Sequence, residues 1–592
     1  MGRSPARRLV CRAGREARPV NVAAIVYALI ASGIGWGVVF VLGDELIDRA
    51  DRVRLCVIWF TVTIILFLVP TGLVFLFGLG IAVAVIGARE EVDTVALGFF
   101  TLFAVPSSGI AVNDVLGINY LLNFTAAMVI SMAAFTPALL AARRRAPGPA
   151  GAHPARREMA VVDVAIFSMF VLLCLLDSRD GTFTSALRNV VEWTFTLLVP
   201  YLVFSRVIST PDRLMRLLRT FLVALVVASA VALFIAVLGW QFYDVPEYRL
   251  FDWQIPALRY RLGFLRSGGP LGGAPISFGV VCMVGVAVAI AMSNWMRAGW
   301  RRWLLIGMPV VGVFATVSRG PMLGVVLVVI AYQLTKPNPF GALFKSGALA
   351  SVLALPLLLF TPFGRNLLSL VPGLSEETID EGSVDYREDL LEIGLRVARK
   401  NPLFGRRDFK SDPEMEALIQ GEQIIDVVNT YLRYALEHGF VTMSVYVFVL
   451  FATIAALFVT LRRLPAGRAD LRREVGGALF AGLVGFAVVV STTSSYVGLM
   501  PSFTWILVGL CVAYVRVVRA EEAAPAAVAV RAVPTPPEIQ APPAPAGRPL
   551  PTRDPAPSDE PTVAPPRPRS TIGPQTPDDF EFVWPPRPAP GS

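Results

Sequence analysis

Residues 214–240, LMRLLRTFLVALVVASAVALFIAVLGW, carry two arginines, Arg216 and Arg219, and then no charge from Thr220 to Trp240. A helix needs about 20 consecutive apolar residues to cross the hydrocarbon core of a bilayer, and this run supplies them. The pattern recurs along the chain, at 20–42, 55–87, 94–110, 121–141, 159–176, 187–206, 274–293, 303–317, 320–335, 346–362, 437–461, 475–493 and 499–517. Composition agrees: 55% of the 592 residues are hydrophobic and 16% charged, and mean hydropathy is +0.62. A soluble globule could not bury that much apolar surface. The expected fold is an all-α polytopic membrane protein with about 14 transmembrane helices and one large extracytoplasmic loop containing short helices.

Charge sets the orientation. Arginine and lysine cluster at Arg143–Arg145 with Arg156 and Arg157, at Arg213, Arg216 and Arg219, at Arg297, Arg301 and Arg302, at Lys336 and Lys345, and at Arg462, Arg463, Arg468, Arg472 and Arg473. The net charge of +9 therefore reads as topology, with no nucleic-acid partner. Pro70-Thr71-Gly72 could break 55–87 into two short spans. Taken as one span, it puts all five clusters and both termini on one side, which the positive-inside rule makes the cytoplasm. Residues 1–19 are then a basic cytoplasmic N-terminus, 20–520 the membrane domain, and 521–592 a disordered Pro-rich cytoplasmic tail. The tail ends in the acidic-aromatic patch Asp578–Trp584, a candidate docking segment for a partner.

The largest loop on the opposite side is 363–436. Within it 384–400 reads as an amphipathic helix capped by Ser383, with Leu390, Leu391, Leu395 and Ala398 at helical spacing and a stop at Asn401-Pro402. Cysteines and histidines are too few and too scattered for a metal site, and no metal or cofactor is expected.

Arginines at outward helix ends carry the chemistry. Arg319 lies in VSRGP between two apolar runs, and Arg266 opens RSGGPLGGAP before the span at 274–293. An intramembrane charge is costly unless it meets a partner or a wet cavity, and arginine's planar fork suits phosphate. An interfacial arginine with its head in water, or an ordinary flexible loop, is the plainer account of each. Asn429 and Tyr431, in DVVNTYL, are polar groups at the entry to the span at 437–461.

The Arg266-Ser267-Gly268-Gly269-Pro270 segment, SRGPMLG, SVDYREDLLEIGLRVARKNPLFG and DVVNTYLRYALEHGF, in this order along the chain, resemble the O-antigen ligase and polysaccharide polymerase superfamily over residues 160–520. The resemblance implies a bacterial inner-membrane glycosyltransferase. Its donor would be a polyprenyl-pyrophosphate-linked oligosaccharide and its acceptor a sugar hydroxyl on the extracytoplasmic face, in contact with membrane lipid. It implies substrate binding by Arg266, Arg319, Arg387, Asn429 and Tyr431, with Gly405 in the turn after the loop helix. Two departures stand out: Val428 occupies the position of the ligase histidine, and Ala274 that of another. Asp426 and Glu422 are the alternative bases, while His438 lies about two turns beyond Asn429. Loss of the ligase histidine favours a polymerase of exopolysaccharide or O-antigen over a ligase. A flippase would show related halves, and none is apparent. A chain-length regulator or another biosynthesis protein is a possible partner of the tail.

Overall fold

The computed structural model describes residues 21–87, 91–112, 122–145, 159–251, 260–261, 264–297, 299–348, 381–419, 425–464, 471–494 and 498–531. The chain divides into a unit running through Arg519, which holds the helix bundle, and a second unit, Ala520–Val583.

α1 (Val22–Leu42) opens under Asn21, whose side chain accepts from Ala24 N at 3.1 Å. α2 (Arg49–Leu68) and α3 (Gly72–Gly87) replace the single crossing expected over 55–87. Pro70 cannot donate the next helical hydrogen bond, so the chain reverses there. α3 returns along α2 until Arg54, near the start of α2, donates to the Ile86 carbonyl, near the end of α3, at 3.0 Å.

α1 is held at both of its ends. Glu45, between α1 and α2, accepts from Arg297 N at 3.1 Å and pairs with Arg301 at 3.8 Å. At its other end α1 places Tyr27 edge-on to Trp240 at 5.4 Å. α1 therefore starts at the face opposite the arginine loops. Residues 1–20 and 532–592, on which the expectation of a common side for both termini rests, lie outside the described residues, as does 349–362 of the span expected at 346–362.

α4 (Glu91–Thr101) leads to β1 (Gly109–Val112), which pairs antiparallel with β2 (Leu122–Thr125), Gly109 opposite Thr125. This ribbon and a second (β3, Tyr260–Arg261, with β4, Phe264–Leu265) are additions to the all-α expectation. α5 (Ala126–Arg144) and α6 (Ala160–Ser178) follow. α7 (Phe183–Trp193) continues through a π turn into Val199–Arg206. α8 (Pro211–Leu238) begins under Thr210 with proline in its first turn and ends on Gly239 at φ 66°, the punctuation expected of a helix with both ends specified. α9 (Asp244–Phe251) is short; α10 (Pro275–Ser293), α11 (Trp300–Ala315) and α12 (Arg319–Leu334) follow. α13 (Glu381–Lys400) belongs to the large loop, and α14 (Thr430–Arg463), α15 (Leu471–Val489) and α16 (Met500–Arg531) complete the order.

Among the described residues, seven helices are long and apolar enough to cross a membrane, and α3 and α12 are shorter apolar helices. The protein is a multi-pass helical membrane protein. α8 and α10 are buried on nearly every side, as helices apolar all round must be when they sit inside a bundle.

One end of the bundle is a basic face. Glu45, Met215, Arg219, Trp295, Leu305 and Leu471 line a single cavity there. Lys336 reaches Glu474 Oε1 at 2.6 Å, and Arg206 and Arg516 share Asp163 Oδ2 at 2.8 and 2.7 Å. Such partly buried pairs fix which helix ends meet, since removing one partner strands the other.

Candidate functional site

At the opposite face the loop between β4 and α10 is tied down from below. Gln241 Nε2 donates to the carbonyls of Gly269 and Gly272 at 3.3 and 3.1 Å. Glu247, 1% exposed, accepts from Gly273 N at 2.9 Å and from the Ser108 hydroxyl. Gly272 has φ 71°, and a Cβ there would overlap the Glu247 carboxylate, so glycine is required on two counts. Gly498 brings the start of α16 within contact of Ala274 and Ser107.

This loop delivers Arg266 to Arg319. Ser267 N donates to Ala315 O at 3.0 Å, hooking the loop onto the end of α11, and the Arg266 guanidinium donates to Ser318 Oγ at 3.2 Å. Ser318 immediately precedes α12, whose first residue is Arg319, and its own hydroxyl donates to Thr316 O at 3.0 Å. The preceding Val317 has φ 45°. A β-branched side chain at positive φ costs about 1–3 kcal/mol and persists only where surroundings over-determine it. Here they do: Val317 N donates to Phe314 O at 3.0 Å and Val317 is 8% exposed. Two guanidinium-bearing residues and the positive end of a helix thus share one corner, a ready anion site.

Beside that corner runs Val490–Ser494. A Cβ on Gly320 would lie 3.0 Å from Thr492 Oγ1. Thr430 N donates to Val490 O at 2.9 Å and Thr430 Oγ1 to Thr493 O at 2.7 Å. Asn429 does not point into open space; its side chain caps α14, accepting from Leu432 N at 3.1 Å. Tyr431 donates to Ala487 O at 2.6 Å. Both are therefore structural anchors of the α14 entry. Arg433, one turn on, pairs with Glu437 at 3.2 Å and reaches Ser494 Oγ at 3.4 Å.

Asp426 stands at the rim. Tyr386 of α13 brackets its backbone, donating to Asp426 O at 3.0 Å and accepting from Asp426 N at 3.2 Å. Its carboxyl remains open to solvent, yet the protein around it raises its pKa by desolvation, against the opposing pull of Lys410, Arg433 and Arg387. Arg387 is exposed on α13 next to Tyr386. A small second core, including Leu390, Val397, Phe409, Met415, Val427 and Leu432, carries α13 against α14. Leu390 and Ala398 face this core as expected, but Leu391 is 47% exposed. Ser383 lies inside α13, which begins at Glu381, and so is not its cap. Glu422 lies outside the described residues.

The large loop is spliced into α14. The helix is broken at Gly439, φ 80° and ψ 171°, and the turn Asn401–Gly405 fills the break. Phe440 N donates to Pro402 O at 2.7 Å, and Arg406 N to Leu436 O at 2.8 Å. Arg179 donates to the carbonyls of Phe404, Gly405 and Glu437 at 2.6, 3.1 and 2.9 Å. The Leu436 and Glu437 carbonyls and the Phe440 amide, freed by the break, are satisfied in this exchange; near the bilayer such groups are expensive to leave unpaired. Gly405, φ 63°, and Gly439 face each other so closely that a Cβ on either would strike the other segment's backbone.

Next to the splice, His438 Nε2 lies 2.7 Å from Asp177 Oδ1, and Asp177 Oδ2 accepts from Trp193 Nε1 at 2.7 Å. Asp177, Glu437 and His438 offer ligand atoms within 4.8 Å of one another, a grouping invisible in sequence because Asp177 is 261 positions from His438. Arg433 and Arg179 already hold Glu437 through its carboxylate and its carbonyl.

Of the expected residues, the structure brings Arg266 to Ser318, next in sequence to Arg319, and sets Arg387 next to Tyr386, which holds the Asp426 backbone. It links the two pairs through Arg433 and the segment 490–494. Sequence reasoning missed Arg433 and Thr492–Ser494; the signal was there, a run of hydroxyl residues from Ser491 to Ser495 between two apolar spans.

An arginine corner, a hydroxyl-lined ledge and a carboxylate just ahead of α14 thus lie on one face of a polytopic membrane protein. Residues 304–447 match the family model described as O-Antigen ligase, which supports the O-antigen ligase and polymerase superfamily. The match includes Arg319, Arg387, Gly405, Asp426, Asn429, Tyr431 and His438, and leaves Arg266, Asp177 and Thr492–Ser494 outside. Comparison with curated proteins gives no match.

Proposed function

We propose that the protein transfers a glycan from a polyprenyl pyrophosphate carrier to a sugar hydroxyl on the extracytoplasmic face of the bacterial inner membrane. It would act as a polymerase of exopolysaccharide or O-antigen repeat units. The observation that carries this reading is the bond from the Arg266 guanidinium to Ser318, which sets Arg266 beside the N-terminus of α12, where Arg319 is the first residue. Fixed donors there oppose the negative charge that grows on a departing pyrophosphate. Asp426 is the general base: its raised pKa makes it a better proton acceptor than an ordinary aspartate. The acceptor oxygen attacks the anomeric carbon as its proton passes to Asp426. The bond from that carbon to the pyrophosphate oxygen breaks, and its electron pair stays on the pyrophosphate. Arg387 and Arg433 steer the acceptor and restrain the pKa of Asp426. Orientation follows from the basic face being cytoplasmic.

The ligase reading uses the same donor site with a lipid A core as acceptor. A knockout separates the two. Accumulated single repeat units with no long polymer mark a polymerase; intact lipid-linked polymer that never reaches its final acceptor marks a ligase. Purified protein that turns over no lipid-linked donor would sink both.

A further inference from the structure

We infer that His438 and Asp177 form a positioning pair for the bond-forming step, setting where Asp426 and Arg387 stand by locking the splice between α14 and the large loop; this rests on the function proposed above. The pair sits at the break itself. His438 is 1% exposed and is the last residue before Gly439. Its partner comes from the end of α6, and that same end supplies Arg179, which holds the carbonyls of Phe404, Gly405 and Glu437. Arg407, just past the turn, donates back to Asp177 O at 2.7 Å. Asp177 is also fixed from α7 by Trp193, and Tyr434 lies with its ring 5.9 Å from that of His438. The α6 end is thus bonded both to the helix on one side of the break and to the turn that fills it.

The arrangement has a direct mechanical consequence. α13 ends at Lys400 and enters the spliced turn at once, while the other side of the break runs back through Arg433 and Asn429 to Asp426. If the turn slides in the break, α13 moves with it, and Tyr386 carries the Asp426 backbone along. The arginine corner does not depend on this joint: Arg266 is tied to Ser318, and the glycine loop to Gln241 and Glu247. Loosening the joint should therefore slow transfer without weakening donor binding. His438 touches none of the proposed reacting atoms, so its role needs only a hydrogen-bond donor at Nε2, which a glutamine can supply.

The test compares His438→Ala, His438→Gln and Asp177→Ala in detergent or nanodisc, with a polyprenyl-pyrophosphate-linked repeat as donor and amide hydrogen exchange as a second readout. Expected is a loss of about tenfold in kcat for the two alanine variants, with donor KM within about twofold. Exchange should rise in 402–406 and 436–441 but not in α10 or α12, and His438→Gln should restore both readouts. The proposal fails if His438→Gln is as slow as His438→Ala while its exchange stays normal, which would make His438 a chemical participant. It fails if His438→Ala leaves exchange unchanged, or raises it with kcat intact. It fails equally if exchange rises throughout the bundle together with donor KM, the sign of general loosening. Wild-type protein that turns over no such donor would refute the proposed function, while the exchange arm still judges the joint.

Discussion

The arginine corner and the Asp426 rim lie on the same face and are built on opposite principles. The corner is held from beneath by the buried Glu247 and Gln241, by glycines with no room for a side chain, and by a strained Val317. The rim rests on an exposed loop helix, a small satellite core and a turn inserted into a broken helix. The donor's pyrophosphate is the same at every turnover, so a rigid site costs nothing in versatility. Under the proposed function the acceptor is a sugar hydroxyl, and its base and guanidinium groups stand on a separate loop rather than on the bundle. The two halves of the site are thus supported independently.

The sharpest way to break the comparison is at the base. Asp426→Asn should lower kcat by about 10²–10⁴ with donor binding retained, measured as transfer rate against binding of the lipid-linked donor. Because activity needs the deprotonated carboxylate, transfer should fall as pH drops through the raised pKa, an acid limb above the ordinary aspartate range. Arg387→Gln removes a charge that pulls this pKa down, so it should shift the limb further up in a kcat/KM profile. An unshifted limb would detach Arg387 from Asp426.

The corner should answer next. Arg319→Lys and Arg266→Lys each forfeit the bidentate fork, worth about 1.5–3 kcal/mol for charge-assisted bonds, and should weaken donor use about 10–100-fold. Near-normal polymer from well-expressed Arg319→Ala would refute the clamp. Val317→Gly relieves the positive φ at the corner; it should leave the thermal midpoint unchanged or higher while slowing transfer a few-fold, showing that the strain aims Arg319. The smallest effect is expected from EDTA, because guanidinium groups serve the pyrophosphate. Activity lost to EDTA and regained with a divalent cation would turn attention to Asp177, Glu437 and His438.

Much of the fold was legible in the sequence, and for physical reasons. Apolar runs of spanning length are written locally, so α1, α8, α10 and α14 could be read directly. Arg319 and Arg266 stood out because a charge between apolar runs needs a reason. The helix pair around Pro70 was decided less well: charge parity argued for one crossing, whereas the run is broken into α2 and α3. Roles that depend on distant partners were unreadable. Asn429 looked like a ligand-facing amide, yet it caps its own helix. Asp177 carried no signal in the sequence, because its partner His438 is 261 positions away on α14. Leu391 fitted the apolar stripe of α13, but the stripe that packs passes through Gly394, whose Cβ position Leu432 crowds.

The splice at Gly439 also imposes an order on manufacture. The chain leaves the ribosome from its N-terminus, so Arg266 and Arg319 are complete before the loop that comes after them. The turn Asn401–Gly405 is already outside when α14 enters the bilayer, and it waits there as a plug without a socket. The socket forms only when α14 inserts, and the α14 entry is finished only when Val490 and Thr493 arrive to receive Thr430. Under the proposed function, a chain halted after α12 but before Thr493 is therefore expected to carry both arginines of the corner and to transfer nothing, because the α14 entry has not been closed.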